Sequence, residues 1–314
     1  MTVSDPIRGY LCVMTAAVLW ASSGVVGKAL FARGITPFEL VQVRVTVSTL
    51  LLAGVLGWRR RDLLRIRRID LWYFLLLGGV AMALVQVTYF YAISKIQVAA
   101  AIFLEYLAPS MVALFSIIFW RERLTGLKLL SVGLSLAGCY LMVGGYHLEL
   151  LRMNWPGILS GLASAVCFAA YTLIGERGMH RYSPWTVLFY AFVFATLTWH
   201  LLYPPFHYLT ASYTAAQWGG LIYVSVMGTV IPFGLFFVGV NHIRSTRAAI
   251  TATLEPVSAG VLAYVFLGEI LDPLQVMGGA MVVGAIILLQ LHREHDRLTP
   301  ALIRISDPHV TKKG

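Results

Sequence analysis

Apolar residues run along this chain in ten stretches of similar length, at about 10–31, 37–58, 70–93, 97–119, 124–143, 156–177, 184–203, 217–240, 245–267 and 273–292, separated by short polar connections. A helix rises about 1.5 Å per residue, so each stretch is close to the roughly 20 residues that cross a hydrocarbon layer about 30 Å thick. The pattern predicts an all-α polytopic membrane protein with ten transmembrane helices. The first stretch has no cleavage site before a polar mature chain and is followed at once by another apolar run, so it reads as a retained helix. Residues 293–314 form a polar tail containing Pro300 and Pro308.

Composition removes the soluble alternative. Of 314 residues, 59% are hydrophobic and 12% charged, with a mean hydropathy of +0.78, against roughly 45–50% and 25% in soluble domains. Ten spans of about 21 residues leave roughly 100 for tails and connections, too few for a folded extramembrane domain. Cys12, Cys139 and Cys167 all fall inside apolar runs and read as small packing residues; their spacing is neither a disulfide framework nor a zinc site.

The net charge of +10 gains meaning from its distribution. With the N-terminus inside, 19 of the 24 basic residues lie on one side, among them Arg59, Arg60, Arg61, Arg65, Arg67, Arg68, Arg244 and Arg247. Only Lys28, Arg33, Lys95 and Arg152 lie on the other, and Arg44 lies within a span. Positively charged loops stay in the cytoplasm, so both termini are expected there. The charge serves topology, and no nucleic-acid partner is implied.

The chain also repeats itself. Adding 147 carries Ile96 to Ile243, Ala101 to Ala248, Pro109 to Pro256, Phe119 to Phe266 and Glu122 to Glu269 without a gap, while Gly9 and Gly27 align over Gly157 and Gly175. Residues 1–143 and 144–292 are then two five-helix units. Five is odd, so the second enters the membrane inverted. The charges agree: six arginines follow the second run, whereas the equivalent loop at about 204–216 has no Lys or Arg.

The chain resembles the EamA branch of the drug/metabolite transporter superfamily. The resemblance rests on the Trp20 region, the intramembrane Arg44, and two copies of a Pro-to-Glu segment followed by glycine: Pro109 to Glu122 then Gly133, and Pro256 to Glu269 then Gly278 and Gly279. It implies ten helices as two inverted repeats around a central cavity lined by helices 1–4 and 6–9. It also implies a small-metabolite cargo, with export common among members.

Ionisable residues deep in a bilayer are costly and point to function. Arg44 and Glu105 fall at nearly the same depth. They read either as a mutual ion pair between helices or as receivers of a substrate carboxylate and amine. Glu255, near the midplane with no basic residue assigned to it, reads as a structural acid, a proton carrier or an amine site. Proline deprives the carbonyl four residues back of its amide: Pro109 frees that of Glu105, Pro232 that of Gly228 and Pro256 that of Ala252. Hinges are therefore expected at Pro109, Pro232 and Pro256, against the plainer reading of passive kinks. Trp20, Gln86, Tyr89, Tyr171, Phe233 and Phe237 are the candidate cavity wall for an apolar or aromatic substrate part, though most aromatics in such a chain face lipid or core.

Other features read as structural. Gly157 and Gly161 form a helix-packing GxxxG. Glu122 and Glu269 hold helix ends. The run GVVGKA at 24–29 lacks the glycine spacing and hydroxyl of a phosphate loop. No HExxH, GxSxG or paired intramembrane aspartates suggest an enzyme, so no catalytic residue, metal or cofactor is expected. A channel-like facilitator would not require inverted halves. The reading is a secondary transporter in the inner (plasma) membrane, acting as a monomer or homodimer by alternating access, with protons as a possible coupling ion. An amino acid or related zwitterion, exported, is the favoured cargo. A sugar, a nucleotide-derived solute or a drug-like cation is the alternative.

Overall fold

The structure, a computed structural model, describes residues 6–96, 98–108, 125–142, 155–267 and 273–291. Pro109, Glu122, Glu269 and the tail lie outside the described residues. Among the described residues there is no strand. The helices are α1 (Pro6–Phe31), α2 (Pro37–Arg59), α3 (Arg68–Lys95), α4 (Val98–Glu105), α5 (Gly126–Met142), α6 (Trp155–Met179), α7 (Pro184–Leu202), α8 (Ala215–Ala252), α9 (Leu254–Leu267) and α10 (Pro273–Leu291). Six of them, α1, α2, α3, α6, α7 and α8, are long and apolar enough to cross a bilayer. Leu11, Leu50, Val55, Leu159, Leu197 and Ile222 remain exposed on their outer faces, as lipid contact allows.

Local signals explain the ends. Thr36 caps α2 by accepting from the Glu39 amide at 3.2 Å, Glu39 returns a carboxylate to the Thr36 amide at 2.7 Å, and Pro37 fills the first turn. Thr214 and Gln217 repeat this box at α8. Between α2 and α3, Arg60 forks onto Asp62 at 3.2 and 3.0 Å, and this hydrogen bonding holds the carboxyl below its usual range.

Two of the long helices widen into π turns, at Leu75–Met82 in α3 and Val226–Val230 in α8. The second precedes Pro232, whose missing amide breaks the regular ladder. The expected boundary between the eighth and ninth apolar runs lies inside α8, where Arg244 adopts φ 67°, ψ 165° and turns the chain. The sequence reading puts Arg244 and Arg247 with the basic residues of the loops on one side; here they stand at and just past this turn. Both are withdrawn from solvent: Arg244 Nε bonds Glu176 Oε1 at 3.3 Å, and Glu176 Oε2 accepts from the Ser245 amide at 2.8 Å.

Close helix contacts recur at matching positions. Gly27 of α1 lies against the Phe90 ring of α3, and Gly175 of α6 against the Phe237 ring of α8, each with the ring 2.6 Å from where a Cβ would stand. Gly9 meets Ile243 and Gly157 meets Ile96 in the same way. Gly161 closes on Leu104, so the GxxxG of α6 is a packing face. Thr49 of α2 and Thr196 of α7, 147 residues apart, hydrogen-bond to each other at 2.8 Å.

Candidate functional site

A cavity lies where α1, α2, α3, α6, α8 and α9 converge with the end of α4. It is lined by Trp20, Ser23, Arg44, Val85, Gln86, Tyr89, Phe90, Glu105, Tyr106, Phe168, Phe233 and Glu255. Its volume is about 40 Å³, room for roughly three waters at 10–15 Å³ each. Seven of the nine residues expected to bind substrate line it. The other two, Tyr171 and Phe237, are fully buried and stacked on each other, with centroids 4.9 Å apart and planes 12° from parallel.

Arg44 is not paired with Glu105. Its Nε donates to Thr229 Oγ1 at 2.8 Å and its Nη2 to the Gly228 carbonyl at 3.1 Å, while its Cζ lies 4.7 Å from the Phe90 ring centre. The mutual ion pair entertained from sequence is therefore absent. Pro232 has no amide to offer the Gly228 carbonyl four residues back, which favours a side-chain donor there. The guanidinium supplies the donor, and Nη1 is left without a hydrogen bond.

The same logic operates at α9. Pro256 deprives the Ala252 carbonyl of its amide, and Tyr106 Oη bonds it instead. Tyr106 Oη also lies 2.8 Å from Glu255 Oε2, and Tyr89 Oη donates to Glu255 Oε1 at 3.1 Å. Glu255 is held by two phenols, with no cation against it among the described residues. The hinge expected at Pro109 is outside the described residues.

Two lining groups lack partners. Trp20 Nε1 and Glu105 Oε2 are both buried with no hydrogen bond. The Trp20 ring is fixed by Phe233, Phe236 and Phe168 at centroid distances of 4.9, 5.4 and 6.0 Å. Gln86 reaches only the Met82 sulfur, at 3.3 Å. A donor, a carboxyl and a guanidinium nitrogen thus face one small cavity between aromatic rings.

The EamA-like transporter family signature matches this chain twice, over residues 7–144 and 155–291. The chain belongs to the EamA-like transporter family. It is thereby a member of the drug/metabolite transporter superfamily, a membrane transporter rather than an enzyme by family. It is 27% identical to the inner membrane transporter YicL of Salmonella typhimurium, over 90% of this chain and 95% of that one. It is 24% identical to the threonine/homoserine exporter RhtA of Escherichia coli, over 85% and 88%. A crystal structure of 21% identity superposes with a TM-score of 0.74, covering 90% of this chain and 96% of the other, and shows the shared fold.

Sequence reasoning missed Tyr106, Ser23, Phe90 and Phe168 in the cavity, and the Glu176–Arg244 pair away from it. For Tyr106 a signal existed. A carbonyl freed by Pro256 needs a donor, and a tyrosine adjoins the intramembrane Glu105.

Proposed function

We propose that this transporter carries a small zwitterion, an amino acid, across the inner membrane by alternating access, with export the working direction. The observation that carries the reading is the pair of buried, unsatisfied groups in the cavity, Glu105 Oε2 to receive an ammonium and Trp20 Nε1 to donate to a carboxylate or a side-chain oxygen, beside the Arg44 guanidinium that would receive the carboxylate. Phe90, Phe168 and Phe233 would face the side chain. A relative named as a threonine/homoserine exporter supports the substrate class. At about 40 Å³ the cavity is narrow for an amino acid, so the reading requires that it widen on loading.

Architecture follows the same reading: ten helices in two inverted five-helix units, residues 1–143 and 144–292, with both termini cytoplasmic. The paired contacts Gly27–Phe90 and Gly175–Phe237 support it, as do the two π turns and the Thr49–Thr196 bond at corresponding positions. Reporter fusions after Arg65 should signal cytoplasm and fusions at Tyr208 the opposite side; a cytoplasmic signal at Tyr208 overturns the inversion.

Glu105 and Glu255 together give a second reading, an organic cation held by two carboxylates. A melting panel on the purified protein separates the two. A ligand at 100 times its Kd stabilises the folded state by about 2.7 kcal/mol, so zwitterionic amino acids should raise the melting temperature while their decarboxylated amines should not. Equal stabilisation by the amines would remove Arg44 from the site and favour the cation.

A further inference from the structure

Tyr106 has one hydroxyl hydrogen and two acceptors. Its Oη contacts both the Ala252 carbonyl and, at 2.8 Å, Glu255 Oε2. A carbonyl can only accept. When Tyr106 donates to Ala252, its contact with Glu255 needs a hydrogen on the carboxyl. When it donates to a bare carboxylate, the Ala252 carbonyl loses its donor, and Pro256 cannot replace it with an amide. Between these groups lies Thr253, the junction of α8 and α9, at φ −62°, ψ −3°.

We infer that Tyr106 is a positioning residue that converts the charge state of Glu255 into a change at the α8–α9 junction. With Glu255 protonated, the carboxyl donates to Tyr106 Oη, Tyr106 donates to the Ala252 carbonyl, and the junction is held. When the carboxyl O–H breaks, its electron pair stays on Oε2 and the proton passes to water in the opened cavity. The Tyr106 hydroxyl then rotates onto Oε2, and the Ala252 carbonyl is released. A substrate ammonium that takes the proton's place drives the same rotation, so proton and substrate are alternative occupants with one backbone readout.

The inference rests on the reading of Glu255, among those its mid-depth position suggests, as a proton carrier or amine site of the transporter. The other titratable or charged groups at the cavity are Tyr89 from α3, Glu105 from α4 and Arg44 from α2. From α1 the lining has only Trp20 and Ser23, α10 contains no titratable residue, and Tyr140 of α5 is exposed.

The test is hydrogen exchange of the amides of residues 253–255, 257 and 258 in the purified full chain, measured with protons as the only ligand across a pH series and corrected for intrinsic exchange. Wild type should lose about tenfold in protection as pH rises, the worth of one hydrogen bond involving a charged or orphaned group. Glu255→Gln should be flat. Tyr106→Phe should be flat and weakly protected at every pH, while Pro256→Ala, which restores an amide to the Ala252 carbonyl, should be flat and strongly protected. Wild-type pH dependence in Glu255→Gln overturns the role of Glu255 itself. A flat Glu255→Gln with wild-type dependence in Tyr106→Phe overturns the inference alone. Should Tyr106→Phe not fold, Pro256→Ala decides it, because pH dependence persisting there is equally fatal.

Discussion

The two halves of this transporter share a packing skeleton and differ in what they present to the cavity. The contacts of Gly27 with Phe90 and of Gly175 with Phe237 correspond at an offset of 147 to 148 residues. Moving by the same offset, Trp20 becomes Phe168, Gln86 becomes Phe233, Tyr89 becomes Phe236, Arg44 becomes Ala191 and Glu105 becomes Ala252. The first half supplies Trp20, Arg44, Gln86, Tyr89 and Glu105, and the second supplies Phe168 and Phe233; Phe90 of the first half and Glu255 of the second, whose counterpart is Ala108, cross that division. The cavity is thus amphipathic, and suits a molecule with one charged end and one apolar end.

If the polar half binds the charged end, Arg44 should show the largest effect. Arg44→Gln removes a hydrogen-bonded charge worth about 1.5–3 kcal/mol, so amino-acid binding by calorimetry should weaken by about 10- to 100-fold. Thr229→Val removes only the tether that positions Arg44 and should cost less than about threefold. Equal losses would mean that Arg44 merely ties α2 to α8.

The scaffold should respond symmetrically. Gly27→Ala and Gly175→Ala each place a methyl 2.6 Å from a phenylalanine ring, and overpacking of this kind costs about 1–3 kcal/mol. Both should lower the melting temperature by similar amounts. A large loss at one position and none at the other would break the correspondence between the halves.

Much of this was legible before any coordinates, and the boundary of legibility has physical causes. Long apolar runs announce α1, α2, α3 and α6 because the bilayer fixes their length and polarity. Proline chemistry located the freed carbonyls of Gly228 and Ala252. Their recipients, Arg44 and Tyr106, come from other helices, and no local pattern encodes a partner 146 or 184 residues away. The Arg44–Glu105 pair failed for that reason: equal depth along two helices does not fix which way two side chains turn. Tyr171 and Phe237 failed similarly, since an aromatic facing the bundle interior serves a core stack as readily as a cavity.

The apolar half can be tested by making it resemble its counterpart. Phe233→Gln copies Gln86 onto α8 and removes an aromatic contact with Trp20, centroids 4.9 Å apart, worth about 0.5–1.5 kcal/mol. Binding of leucine or phenylalanine should fall about two- to tenfold relative to serine. An unchanged ratio would show that Phe233 only supports the Trp20 ring.

The smallest expected effect falls on the pair that the offset maps onto itself. Thr49 and Thr196 stand 147 residues apart and hydrogen-bond at 2.8 Å between α2 and α7, as residues at an axis would in the proposed arrangement of the halves. Each hydroxyl is partly buried, and a single such bond contributes about 0.5–1.5 kcal/mol net. Thr49→Val and Thr196→Val should each reduce stability by that amount. Because one substitution already abolishes the bond, the double variant should be less destabilised than the sum of the singles, by about 0.5 kcal/mol or more for residues in direct contact. Neither change touches the cavity, so substrate affinity should stay at the wild-type value. Strict additivity in a chemical-denaturation cycle would mean that the two threonines do not bond in the membrane, and would remove the most direct structural support for an axis between the halves.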